Sequence, residues 1–138
     1  MRSPAEILRD ARTIALVGAS PKPDRPSHGV MRYLLAQGYD VIPVRPTGCD
    51  EILGVACVQS LAEIDRPIDL VDVFRRAELT PPHAEEAAAV GAGALWLQLG
   101  IVSDESRAIA EGAGLDYVED LCTAVVHRYE VRDAQQLG

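Results

Sequence analysis

The sequence predicts an α/β fold built on a mainly parallel sheet in three layers. Apolar runs of strand length alternate along the chain with amphipathic segments of helical period. The run "TIALVG" is continuously apolar, as a strand covered on both faces must be, and "IDLVDVF" and "ALWLQLG" are further runs of strand length. The links between runs and helical segments are short, which suits crossovers between parallel strands.

Each element follows from its residues. "SPAEILRDA" predicts a short helix, with Ser3 as N-cap, Pro4 in the first turn and Glu6 at the capping-box position. "TIALVG" is the first strand. In "SHGVMRYLLAQG", Val30, Met31, Leu34 and Leu35 recur at helical spacing, with Ser27 placed to cap the start and Gly38 to end it. "YDVIPV" is a second strand, and Pro43 argues for an edge position or a bulge. "GVACV" is a weak strand, and "SLAEI" a helical turn with Ser60 and Glu63 at capping-box spacing. "IDLVDVF" is a strand. "TPPHAEEAAAVGA" is a helix from Thr80, with prolines in its first turn. "ALWLQLG", "SDESRAIAEGAG" and "DYVED" complete the pattern as strand, helix and strand, and "DAQQLG" is a polar tail expected to fray. The expectation is one Rossmann-like domain over residues 1–138.

The 138 residues are 48% hydrophobic and 25% charged, enough for a core without disulfides or metals. Aromatics are only 4%, so that core is mainly aliphatic. A net charge of −8 argues against nucleic acid or an anionic membrane as partner. The opening "MRSPAEILRDARTIA" lacks the apolar stretch of a signal peptide, and no run reaches transmembrane length. Cys49, Cys57 and Cys122 form no CxxC pair and are expected as free thiols in a reducing cytoplasm. His28, His83 and His127 show no metal-ligand spacing.

Ligands of parallel sheets bind outside the carboxyl ends of the strands. Four stretches fall there. In "GASPKPDRPSHG", Gly18 allows a close backbone approach, Ser20 and Ser27 supply hydroxyls, and Lys22 and Arg25 supply charge. The loop has neither the glycines of a dinucleotide fingerprint nor the ending of a P-loop. The plainer alternative is a proline-stiffened connection in which Ser27 only caps a helix. In "VIPVRPTG", Arg45 stands where an NAD-binding unit has a carboxylate, and a guanidinium suits a ribose phosphate. A solvated surface arginine is its alternative. In "DVFRR", Phe74 can pack on an adenine or an aliphatic arm, and Arg75 and Arg76 can reach phosphates. The alternative is a core Phe with two exposed arginines. In "WLQLG", Gln98 is a buried polar group that needs partners, and Trp96 belongs to the core. No GxSxG elbow and no assembled acid–base pair is visible.

With those stretches in view, the chain resembles the small stand-alone CoA-binding domain proteins, and through them the CoA-binding domain of the succinyl-CoA synthetase alpha subunit. The resemblance runs over roughly residues 13 to 130. "VDVFRR" followed by "WLQLGI" is its most specific pair. It implies that Gly18, Ser20, Arg25 and Ser27 lie near a pyrophosphate, with Ala19, Lys22 and His28 of the same loop. It places Val44, Arg45 and Pro46, Phe74 to Arg76, and Gln98 to Gly100 around the rest of the nucleotide. The chain has "VRP" where relatives have "VNP", and Val126 where a glutamate is common before His127.

The expectation is a cytoplasmic protein that binds coenzyme A or an acyl-CoA and has no catalytic site. An NADP-dependent reductase and a nucleotide-free interaction module on the same fold are the alternatives. A homo-oligomer or an unidentified protein partner stays open.

Overall fold

The structure is a computed structural model and describes residues 1–137. Five parallel strands form the sheet in the order β2-β1-β5-β6-β7. They are β1 (Thr13–Val17), β2 (Asp40–Val44), β5 (Leu70–Val73), β6 (Ala94–Leu97) and β7 (Asp116–Val118). β3 (Glu51–Ile52) and β4 (Val55–Ala56) make a small antiparallel hairpin beside the sheet. The mainly parallel α/β, Rossmann-like architecture expected from the sequence is the one observed.

Alternation along each strand sends successive side chains to opposite faces. Ile14, Leu16, Leu70 and Trp96 enter one core layer, joined by Ile7, Leu8, Met31 and Leu34 from α1 (Pro4–Asp10) and α2 (Pro26–Ala36). Ala15, Val17, Val71, Val73, Leu95 and Leu97 enter the other layer. Ala84, Ala87 and Ala110 close that layer from α3 (Pro81–Ala89) and α4 (Asp104–Gly112). Small alanines let these two helices lie close to the sheet. Each fully buried Leu, Ile or Val contributes about 1.5–3 kcal/mol.

Local expectations hold in several places. Ser3 and Glu6 form the capping box of α1. β2 is an edge strand, as Pro43 required. Others need correction. Ser27 does not cap α2. The helix begins at Pro26, so Arg25 is the N-cap and Ser27 lies inside the first turn. Proline's fixed φ sets the start one residue earlier than the hydroxyl would. Ser60 makes no cap either; Glu63 instead accepts the Gln59 N–H at 2.7 Å. "GVACV" gives only the hairpin strand β4, plus one bridge from Val58 to Val44. The tail does not begin as coil. Thr123–Val126 (α5), a π-turn His127–Arg132 and Asp133–Leu137 (α6) follow one another without a break. Val126 and Val131 pack into the α1–α2 layer and anchor this segment.

The cysteine expectation also fails. Cys49 and Cys57 lie 5.6 Å apart at Cα and pair as a disulfide, because the β3–β4 hairpin folds the chain back on itself. Cys122 is free. Among the described residues, no helix is long and apolar enough to cross a membrane.

Candidate functional site

The chain runs from β1 outward to β2, then returns past β1 to β5. The strand order therefore reverses between β1 and β5, and connections leave in opposite directions above that point. A cleft of about 890 Å³ opens there, within the usual range for small-ligand sites.

Its first wall is the β1–α2 loop. Gly18, Ala19, Ser20, Lys22, Arg25 and Ser27 all line it. Gly18 has φ +86°, and a Cβ there would stand 2.3 Å from the Phe74 carbonyl oxygen. The close approach that demands glycine is thus to the end of β5, and it brings the loop and the "FRR" segment together. Ser20 Oγ accepts the Lys22 N–H at 3.2 Å and tightens the turn. At the start of α2, Arg25 gives no side-chain cap and Pro26 has no N–H. Among the described residues the Ser27 N–H has no acceptor. An eleven-residue helix thus presents its positive end to the cleft.

The second wall comes from β5 and β2. Phe74, Arg75 and Arg76 line the cleft. Arg75 donates to His83 Nε2 at 3.2 Å, so the His83 Nδ1–H donates to Glu86 at 2.9 Å. That relay braces the guanidinium. Arg76 is 77% exposed and lies 3.5 Å from Glu78 at the rim. Arg45 also reaches the cleft. Its Nη1 donates to the Ala19 carbonyl at 3.4 Å and its Nε to Thr47 at 3.2 Å. Among the described residues Lys22, Arg25, Arg45 and Arg75 form no ion pair with a carboxylate. In a chain of net charge −8, four cations without carboxylate partners give this cleft a positive lining that suits an anion.

The floor and far end come from β6 and from the loop after β7. Gln98, Leu99, Gly100, Ile101 and Cys122 line this part. Beneath Gln98 lies Asp72, fully buried in β5 opposite Leu16 and Trp96. Gln98 Nε2 donates to Asp72 at 2.6 Å and to Thr123 Oγ1 at 2.8 Å, and Thr123 donates to Asp72 at 3.0 Å. Burial pushes the Asp72 carboxyl up to about 7, and the Gln98 and Thr123 hydrogen bonds pull against that rise.

Three sequence-expected residues fall outside the cleft lining. Val44 is buried in the core beside β1, because the register of β2 turns its side chain inward. Pro46 sits in an exposed turn. His28 is buried on α2 and bonds Arg32 at 3.1 Å. His127, for which the sequence suggested no role, packs between Tyr33 and Tyr39 and bonds the Tyr33 hydroxyl at 2.8 Å. Burial lowers its pKa. The cleft also recruits residues that sequence reasoning missed, among them Val30, Ile101 and Cys122. Val30 follows from helix periodicity once the start of α2 is known. Cys122 is brought there by the folding of α5 against the sheet.

The profile of the CoA binding domain matches residues 12–128. The protein YneT of Bacillus subtilis (strain 168) is 47% identical over 122 residues, covering 88% of this chain and 90% of its own. A solved structure of a hypothetical protein from Pyrococcus horikoshii OT3 superposes with a TM-score of 0.87 at 40% identity, covering 98% of this chain and 90% of that one. One from Thermus thermophilus gives 0.85 at 40% identity, covering 89% and 92%. A dinucleotide-forming acetyl-coenzyme A synthetase from Ca. Korarchaeum cryptofilum shares the fold, with a TM-score of 0.72 at 20% identity, over 81% of this chain and 26% of its own. With the profile spanning most of its length, the chain belongs to the CoA binding domain family.

Proposed function

We propose that the protein binds coenzyme A or an acyl-CoA in the cleft above the β1–β5 switch point and holds it without transforming it. The observation that carries the reading is the start of α2. A helix N-terminus with an unclaimed Ser27 N–H lines the cleft together with Lys22 and Arg25, a set of donors that suits a pyrophosphate. The apolar lining of Val30, Phe74, Leu99 and Ile101 suits the remainder of an elongated ligand that is polar at one end. The lining carboxylate Glu78 lies at the exposed rim beside Arg76, and Asp72 is sealed under Gln98. Neither is positioned as a general base toward a bound thioester.

A thermal-shift and calorimetry series with CoA, acetyl-CoA, NADP, NAD and ATP tests the reading. CoA should stabilise the fold and NAD should not. Ligand at 100 times its dissociation constant adds about 2.7 kcal/mol. A shift with NADP alone would make the site a dinucleotide site, and no shift with any of them would leave an interaction module. Within this series Arg25→Ala should weaken CoA by about 1–3 kcal/mol, through loss of a charge-assisted hydrogen bond. Unchanged affinity in a folded variant would move the phosphate elsewhere.

Arg45 gives a finer test. Its head already lies against the Ala19 carbonyl, on the loop that faces the expected pyrophosphate. Beside the adenosine ribose it would meet the 3′-phosphate of CoA. Arg45→Ala should then weaken CoA more than dephospho-CoA, by about 0.5–2 kcal/mol. Equal losses for both ligands would reduce Arg45 to a brace for the loop.

A further inference from the structure

We propose that His83 is the positioning residue of the cleft's positive lining: its neutral imidazole holds Arg75 toward the ligand, and a proton gained by that imidazole releases Arg75 and loosens the bound phosphates. The inference rests on the coenzyme A reading above and adds to it a dependence of affinity on pH. His83 is buried and is not part of the cleft lining, so it acts through Arg75 and not on the ligand itself.

The fold fixes His83 first. Thr80, wholly buried at the start of α3, donates to the Ala77 carbonyl at 2.8 Å and bonds Ser106 Oγ of α4 at 2.8 Å. The His83 N–H donates to the Thr80 carbonyl at 3.0 Å, in a first turn stiffened by proline. The ring thus stands on a helix start that is itself pinned. Arg75 is then held at two points. Its Cγ lies against Gly18, 3.1 Å from where a Cβ would stand, and its guanidinium donates to His83 Nε2 at 3.2 Å.

The protonation state follows from the donors. A guanidinium has N–H groups and no acceptor, so Nε2 must accept and the ring carries its proton on Nδ1. That proton is given to Glu86 at 2.9 Å. An imidazolium has an N–H on both nitrogens. Nε2 would then oppose Arg75 with a second donor and a second positive charge. The Glu86 carboxylate grips the imidazolium, so His83 stays in place and the half-buried Arg75 turns away. Other charged groups do not intervene. Glu85 lies on α3 itself, Glu63 and Glu78 lie in the turns Leu61–Glu63 and Ala77–Leu79, and Asp104, Glu105, Arg107 and Glu111 lie on α4, while β6 carries none. Among the described residues the His83 ring pairs only with Arg75 and Glu86. Histidine is the side chain that gains its charge between about pH 8 and about pH 5, so a switch built this way works in that window.

The test measures binding of dephospho-CoA by calorimetry from about pH 8 to about pH 5. This ligand lacks the phosphate monoester of CoA, which would itself titrate near about pH 6. The proteins are the native chain, His83→Leu and His83→Gln. Leucine removes both bonds and should weaken binding about tenfold at about pH 8. Glutamine accepts from Arg75, donates to Glu86 and takes up no proton, so it should rescue that loss. The ratio of native to His83→Gln affinity should then fall about tenfold by about pH 5. Every other titrating group, Asp72 included, is common to both proteins and cancels in the ratio. Ring-nitrogen NMR of the native protein needs no variant. His83 should carry its proton on Nδ1, and saturating dephospho-CoA should keep the ring neutral to a lower pH, as reciprocal linkage demands. A constant ratio, a ratio that rises on acidification, or a proton on Nε2 overturns this inference and leaves the coenzyme reading standing. A native protein that gives no heat with CoA or dephospho-CoA at about pH 8 overturns the coenzyme reading, and this inference with it.

Discussion

Replacing Gly18 by alanine should destabilise the protein by about 3–5 kcal/mol and remove ligand binding with it. The added Cβ would stand 2.3 Å from the Phe74 carbonyl oxygen and 2.9 Å from its carbon, and both are backbone atoms. Phe74 cannot yield easily, since its own N–H donates to the Val17 carbonyl at 2.8 Å. Gly18 cannot rotate away, since its N–H donates to the Val44 carbonyl at 3.0 Å, and φ +86° is itself unfavourable for alanine. Relief must come from parting the carboxyl ends of β1 and β5, which is where the cleft opens. Urea denaturation measures the loss. A variant as stable as the native protein would show that the two strand ends can separate freely, and the cleft would then lose its claim to be preformed.

The native protein should lose stability relative to Asp72→Asn as pH rises from about 4 to about 7. An unfolded aspartate is ionised above about 4. The folded Asp72 keeps its proton up to about 7, because burial raises its pKa. Between those values the native state binds one more proton than the unfolded state, so stability falls with rising pH, at about 1.4 kcal/mol per unit at the steepest. The contribution is fully present below the unfolded value and gone above about 7. Asparagine keeps an acceptor for Gln98 and carries no proton to lose. Subtracting the two stability curves, measured by urea denaturation at a series of pH values, cancels every other titrating group. Parallel curves would mean that Asp72 is charged throughout, with Gln98 and Thr123 compensating for its burial.

The two predictions also mark what the sequence could and could not disclose. Gly18 was legible as a glycine at a strand end, but the atom that requires it was not, because Phe74 lies far along the chain. Asp72 was visible inside "IDLVDVF", yet alternation alone does not tell a satisfied buried carboxyl from a surface one. Its partners come from β6 and α5, which only the folded sheet assembles. The strands and α2 were legible because apolar periodicity is a local property. The Cys49–Cys57 pair was not, since their spacing of eight residues becomes a contact only through the β3–β4 hairpin. Val44, which the resemblance put around the nucleotide, is buried in the core and does not line the cleft, because β2 is covered on both faces from Val41 onward.

Finally, the loop that follows β2 governs how copies of this protein meet in a crowded solution. An open edge strand invites a neighbouring molecule to continue its ladder and seed an insoluble stack. At β2 that invitation is withdrawn. Pro43 has no N–H to offer, its carbonyl is taken by the Val58 N–H at 3.0 Å, and the Arg45 N–H is spent on Val58 at 2.8 Å. The hairpin stapled by Cys49 and Cys57 thus acts as a bumper along the outer strand. At the opposite edge β7 is three residues long, and Arg2 clasps Asp116 at 2.8 Å. Cutting the bumper back would therefore be felt first as turbidity in concentrated samples, before any change in how tightly a ligand is held.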